Sequence, residues 1–278
     1  MQKHYLFLTL FLALIFSSCN SEGSQKTAEA KDDMAQFSED EEFKESHEQP
    51  TEINFMGKGR MLEFNTVDGE TAKGYLLTPE RKTDKVLFVI HEWWGLNDQI
   101  KKEAQRLFDS LENVTVLALD LYDGKVATTQ ENASKLMQSV QPERAESIIR
   151  GAIGLMGTNA KIATVGWCFG GGWSLKASII AGNQGAGCVI YYGMPVQEPN
   201  EIAPLKADIL GIFANQDGWI TPEVVTNFED LANQAGKNLE VHQFDAEHAF
   251  ANPSSPRYKE DAAQVANQVV LSFLQSRL

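Results

Sequence analysis

The sequence predicts an α/β protein: a doubly wound, mostly parallel sheet with helices on both faces. Short apolar runs alternate with amphipathic helical stretches over most of the chain, the pattern of βαβ units. Some of those runs, such as residues 86–90, hold no polar residue, as expected of strands buried on both faces. A third observation is a glycine-rich turn around Cys168, set between a strand-like run and a helix-like run.

The elements follow in order. Residues 61–65 and 72–77 flank Asp68-Gly69 and predict an antiparallel opening hairpin. Residues 86–90 form the next strand, 99–110 an amphipathic helix and 114–119 another strand. Two helical stretches, broken near Pro142, occupy residues 128–157 and are placed to cap a site. A buried strand at 161–165 runs into the turn, and a helix at 173–180 leaves it. Strands are expected at 187–192, 208–214 and 239–244, with helices at 222–235 and 257–275.

The turn reads Gly166-Trp167-Cys168-Phe169-Gly170. A strand, a Gly-x-nucleophile-x-Gly turn and a helix make the nucleophile elbow of an α/β-hydrolase fold, here with a thiol in the nucleophile position. Reversing the chain so sharply strains the backbone at Cys168 and leaves no room for side chains two residues away, so glycine is needed there. The helix N-terminus aimed at the sulfur favours thiolate. The Phe169 N–H is placed as an oxyanion donor. In such folds the acid and then the histidine follow the nucleophile along the chain. Asp217 lies in the loop after the strand at 208–214, and His248 in the loop after the strand at 239–244. Both loops are at strand carboxyl ends, where open α/β sheets bind ligands. His248 is the expected base and Asp217 its orienting acid. His242 falls inside a strand, and His91 ends one beside the site, with a structural hydrogen-bonding role expected. His4 and His47 fall in segments expected to lie outside the fold.

Over residues 60 to 277 the chain resembles the dienelactone hydrolase family, a cysteine branch of the α/β-hydrolases. The elbow at Cys168, the Asp217 and His248 loops, and His91-Glu92-Trp93-Trp94-Gly95 at a strand end carry the resemblance. It implies that Glu92 partly holds the resting cysteine and takes its proton when substrate binds. It also implies an oxyanion hole from the N–H groups of Trp93 and Phe169. Neither of the family's two substrate-binding arginines stands at its expected position. Asp120-Leu121-Tyr122 is followed by Asp123-Gly124-Lys125, and four residues beyond His248 stands Asn252. Tyr122, Lys125 and the nearby Arg257 are the substrate-binding candidates, although a lysine does not reproduce an arginine fork.

The chain opens with Lys3 and His4, an apolar run from Tyr5 to Phe16, then Ser17-Ser18-Cys19. The run is short for a membrane anchor and suits a signal segment. Small residues before a cysteine resemble a bacterial lipoprotein signal, so residues 1–19 are expected to be a lipoprotein signal ending at a lipidated Cys19. Residues 20–52 carry 11 acids against 3 lysines and show no apolar periodicity, so an acidic disordered tether is expected. The remaining residues, 53–278, suffice for one hydrolase domain.

The net charge of −14 argues against nucleic acid and anionic lipid as partners. Contact with a membrane is expected only through the lipid, and the domain is expected to be a monomer in the cell envelope. Of three cysteines, Cys19 is assigned to lipid, Cys188 to packing and Cys168 to chemistry; no disulfide is expected. No metal-binding spacing, phosphate loop or dinucleotide fingerprint occurs, and no cofactor is implied. The expected activity is hydrolysis of small esters or lactones through an acyl-thioester enzyme. The alternatives are acyl transfer at the same site, or a non-catalytic binding lipoprotein with a hydrolase fold.

Overall fold

The structure, a computed structural model, describes Met1 and residues 33–278. The rest of the expected signal segment, Cys19 and tether residues 20–32 lie outside the described residues. Among those described, eight strands form one sheet: β1 (Arg60–Asn65), β2 (Thr71–Leu77), β3 (Lys85–Ile90), β4 (Thr115–Leu119), β5 (Lys161–Trp167), β6 (Gly185–Tyr191), β7 (Asp208–Ala214) and β8 (Leu239–Phe244). Their order across the sheet is β1-β2-β4-β3-β5-β6-β7-β8. The opening hairpin pairs antiparallel, β2 joins β4 antiparallel, and every later pair is parallel.

The helices are α1 (Glu41–Glu45), α2 (Asp98–Ser110), α3 (Gln130–Ser139), α4 (Pro142–Met156), α5 (Phe169–Ala181), α6 (Pro199–Ile202), α7 (Pro222–Gln234) and α8 (Glu260–Arg277). Their starts follow local chemistry. Asn97, Thr129 and Thr221 each accept a main-chain N–H of the first turn, and Pro142 and Pro222 sit at the first helical position. Successive residues of β6 show the double winding. Ser174 of α5 lies against Cys188 Sγ at 3.8 Å, whereas a side chain at Gly187 would meet Phe273 and Arg277 of α8. Neighbouring strand residues point to opposite faces, so α5 and α8 cover opposite sides. Side chains of β3, β4, β5 and β6 are almost wholly enclosed between these layers. At roughly 1.5–3 kcal/mol for each large apolar side chain, this is the main source of stability.

The expected domain start at residue 53 does not hold. Residues 33–49 form a 3-10 turn (Asp33–Phe37) and then α1, which is capped by the Asp40 carboxylate. Met34 and Phe43 are fully buried. The segment docks through main-chain carbonyls: Gln130 Nε2 donates to Lys44 O at 2.7 Å and His47 O at 2.9 Å, and Ser134 Oγ donates to Ser38 O at 2.7 Å. Its apolar residues are too few to form a core. They fill a hollow among α3, α5 and the loops that carry Trp93, Trp219 and His248, and this is why no periodicity announces it. Helices α3 and α4 match the two expected stretches, and α3 holds this segment in place.

Candidate active site

The carboxyl end of β5 turns directly into α5 at Cys168, whose backbone sits at φ 53°, ψ −120°. This conformation is costly for a residue with a side chain and persists only because the surroundings impose it. A Cβ on Gly166 would lie 1.9 Å from Gly170 O, and one on Gly170 would lie 2.4 Å from both Ile90 O and His91 O. No larger residue fits at either place, as the turn motif requires. Phe169 is the first residue of α5, so its N–H is among those that an α-helix leaves without an intrahelical partner. Trp93 follows the end of β3 and its side chain is buried.

His248 and Asp217 come together as chain order suggests. His248 Nδ1 lies 2.6 Å from Asp217 Oδ2, and both side chains are fully buried. Asp217 Oδ1 accepts the N–H groups of Trp219 and Ile220, both at 2.9 Å. Burial pushes the Asp217 carboxyl up; the imidazole and the two N–H donors outweigh this and leave it below the usual carboxylate range. A carboxylate can only accept, so His248 carries its proton on Nδ1 and turns Nε2 inward. That Nε2 is buried and has no hydrogen-bond partner. One ligating atom each of Cys168, His248 and His47 lies within 4.8 Å of the others.

Glu92, just past β3, is buried, and this raises its carboxyl from an ordinary 4.5 to about 7 against the opposing effects of His248 and Asn252. Asn252 Nδ2 donates to Glu92 Oε2 at 2.6 Å. The residue four beyond His248, which lacks the arginine charge, thus holds the glutamate. His91 is structural: it accepts the Leu121 N–H on Nε2 at 3.1 Å and donates from Nδ1 to Glu92 O at 2.6 Å. His242 is paired with Glu240 at the sheet edge.

The substrate-binding candidates are placed apart from one another. Tyr122 is buried and packs on His91 and Phe169, with centroids 4.7 and 5.3 Å away. Lys125 is exposed on the loop after β4. Arg257 lies over Trp219, 5.9 Å from its ring, and reaches Ser46 O, so it fastens the N-terminal segment. A cavity of about 300 Å³ opens beside Glu92 and Asn252, walled by Trp94, Trp167 and Tyr258. Its cationic side chains are Lys102 and Arg106; neither Lys125 nor Arg257 lines it.

The residue that the sequence reading missed is His47. Expected to lie outside the fold, it is only 8% exposed and places Nε2 3.9 Å from Cys168 Sγ. With Phe43, which is 0% exposed, it packs against Trp93, Trp219 and His248, and Cys168 is left 1% exposed beneath them. Burial drives the His47 imidazolium down to about 3, so the ring is neutral. A faint signal existed: Asp40 is a helix N-cap residue, and Phe43 and His47 are four apart, on one helical face.

This sheet order, elbow and buried Asp–His pair define an α/β-hydrolase. The model of the dienelactone hydrolase family matches residues 72–278, and the chain belongs to that family. It is 26% identical over 233 residues to protein usf of Aquifex pyrophilus, covering 79% of this chain and 99% of that protein. It is 25% identical over 228 residues to carboxymethylenebutenolidase 1 of Cupriavidus pinatubonensis, with 77% and 95% covered. Among solved structures, a promiscuous phosphotriesterase from metagenomic libraries, described as dienelactone hydrolase-like, superposes with a TM-score of 0.68 at 20% identity, covering 80% and 99%. The dienelactone hydrolase of Anabaena variabilis gives 0.58 at 20%, covering 83% and 100%. The protein is a hydrolase of this family. The segment at 33–49 lies outside the matched residues.

Proposed function

We propose that this hydrolase opens small esters or lactones with Cys168 as nucleophile, His248 as acid–base and Asp217 as its orienting group. The observation that carries the reading is the strained elbow cysteine beside a buried imidazole whose outer nitrogen is fixed by a carboxylate at 2.6 Å.

Glu92, held near 7, takes the thiol proton when substrate enters. The thiolate attacks the carbonyl carbon, and the resulting oxyanion accepts the N–H groups of Phe169 and Trp93. Collapse breaks the carbon–oxygen bond, and the leaving alkoxide takes from Glu92 the proton that came from the thiol, leaving an acyl thioester on Cys168. His248 then removes a proton from water, the hydroxide attacks the thioester, and the thiolate departs with the acid product. Lys125 and Arg257 are offered as substrate anchors, Arg257 only once the segment that it fastens moves. The acidic chain is further proposed to be exported and held at a membrane by lipid on Cys19.

The test is hydrolysis of a small aryl ester and of a carboxylate-bearing enol-lactone by wild type and Cys168→Ala. Turnover that survives in the variant would refute the cysteine mechanism. Mass spectrometry of the mature N-terminus tests lipidation: an unmodified Cys19 refutes it.

A further inference from the structure

We propose that Cys168, His47 and His248 form a binding site for a thiophilic d10 cation, zinc(II) in the first instance, that closes the N-terminal segment over the nucleophile. Residues 121 and 80 positions from Cys168 supply the imidazoles, so no sequence spacing reveals the set. All three side chains are buried, and one ligating atom of each lies within 4.8 Å of the others.

The tautomers make the cluster a ligand set. His47 Nδ1 lies 2.7 Å from Phe43 O, which can only accept, so this nitrogen carries the proton and Nε2 keeps its lone pair. The Asp217 carboxylate imposes the same tautomer on His248. Two imidazole nitrogens and a sulfur therefore converge. Each imidazole is already held on its far side by a carbonyl or a carboxylate, the outer partner that metal-binding histidines commonly have. His248 Nε2 is buried without a hydrogen-bond partner and faces this space.

A thiolate with two imidazoles suits zinc(II) or copper(I) over magnesium or calcium. Zinc with sulfur at ~2.3 Å and nitrogen at ~2.0–2.1 Å sets ligand atoms about 3.3–3.6 Å apart. The His47–Cys168 pair at 3.9 Å is a few tenths of an ångström wider. Uptake exchanges the thiol proton for the cation, with no change of oxidation state. The bound thiolate and the Asp217 carboxylate then balance the two positive charges. The sulfur loses its nucleophilic lone pair, and His47 ties residues 33–49 down.

The reduced, chelator-treated full-length protein is titrated with cobalt(II), then with zinc(II) against a chromogenic chelator. Neither readout needs turnover, so failure here is separable from failure of the hydrolase reading. One equivalent of cobalt should give a thiolate-to-cobalt charge-transfer band that zinc erases. Cys168→Ser should abolish the band. His47→Ala should weaken zinc binding by more than the roughly 10–100-fold that losing an outer partner costs. His47→Gln, closer in shape and polarity, should do likewise and guards against a folding defect. No stoichiometric band in wild type, a band that survives Cys168→Ser, or unchanged zinc affinity in both His47 variants would overturn the proposal.

Discussion

Phe43→Ala should make Cys168 accessible. Cys168 is 1% exposed under Phe43 and His47, so a reagent reaches its sulfur only when residues 33–49 lift. Phe43 is 0% exposed and its ring sits 5.2–5.4 Å from Trp93 and Trp219. Truncating a buried phenylalanine costs about 3–5 kcal/mol. A one-turn segment relaxes more readily than a domain core, so about 3 kcal/mol is the working figure. At about 1.4 kcal/mol per factor of ten, the lifted population rises about 100-fold, provided it is a minor state in wild type. The assay is iodoacetamide labelling of Cys168, followed by peptide mass spectrometry. Cys188 is the internal control. It lies within the sheet, burial pushes its thiol up to about 12, and it labels only on global unfolding. A Cys168 rate within twofold of wild type, with a lowered unfolding midpoint, would refute the reasoning, because the segment would then unfold only with the whole domain.

Other outcomes follow from the same geometry. Asp217→Asn removes the acceptor that fixes the His248 tautomer, and turnover of an aryl ester should fall by about 10²–10⁴-fold; an unchanged rate would remove Asp217 from the mechanism. Glu92 titrates near 7 in the fold against an ordinary 4.5, so its stabilising contribution is full below 4.5 and is lost as pH rises through 7. That gap corresponds to at most about 3.5 kcal/mol, and urea unfolding of Glu92→Gln should lack this pH-dependent loss. Gly170→Ala forces a Cβ to 2.4 Å from two carbonyl oxygens and should cost about 1–3 kcal/mol or more in thermal unfolding, unlike Gly154→Ala, where nothing lies within 4 Å. Lys125→Ala should impair carboxylate-bearing lactones more than neutral esters; equal loss on both would remove Lys125 as an anchor.

Some of this protein was legible because local sequence alone decides it. Strands β3, β5 and β7 sit where apolar runs predict them, since a strand covered on both faces is lined mainly by apolar residues. The elbow was legible because so tight a turn admits only glycine two residues to either side of Cys168. Chain order then selected Asp217 and His248, and the structure brings that pair together. The N-terminal segment was misread. Its acid-rich composition is that of a tether, and local composition says nothing about a hollow formed by residues about 50 to 200 positions later. Only tertiary packing seats Phe43 there, turns His47 onto Cys168, and engages Arg257 with Ser46 and Trp219 instead of the cavity beside Glu92. By itself the sequence determined the sheet, the turn and the order of the reacting groups, because backbone sterics and burial act over a few residues. What covers the nucleophile was decided by the tertiary structure, because that cover is a sum of contacts between segments far apart in the chain.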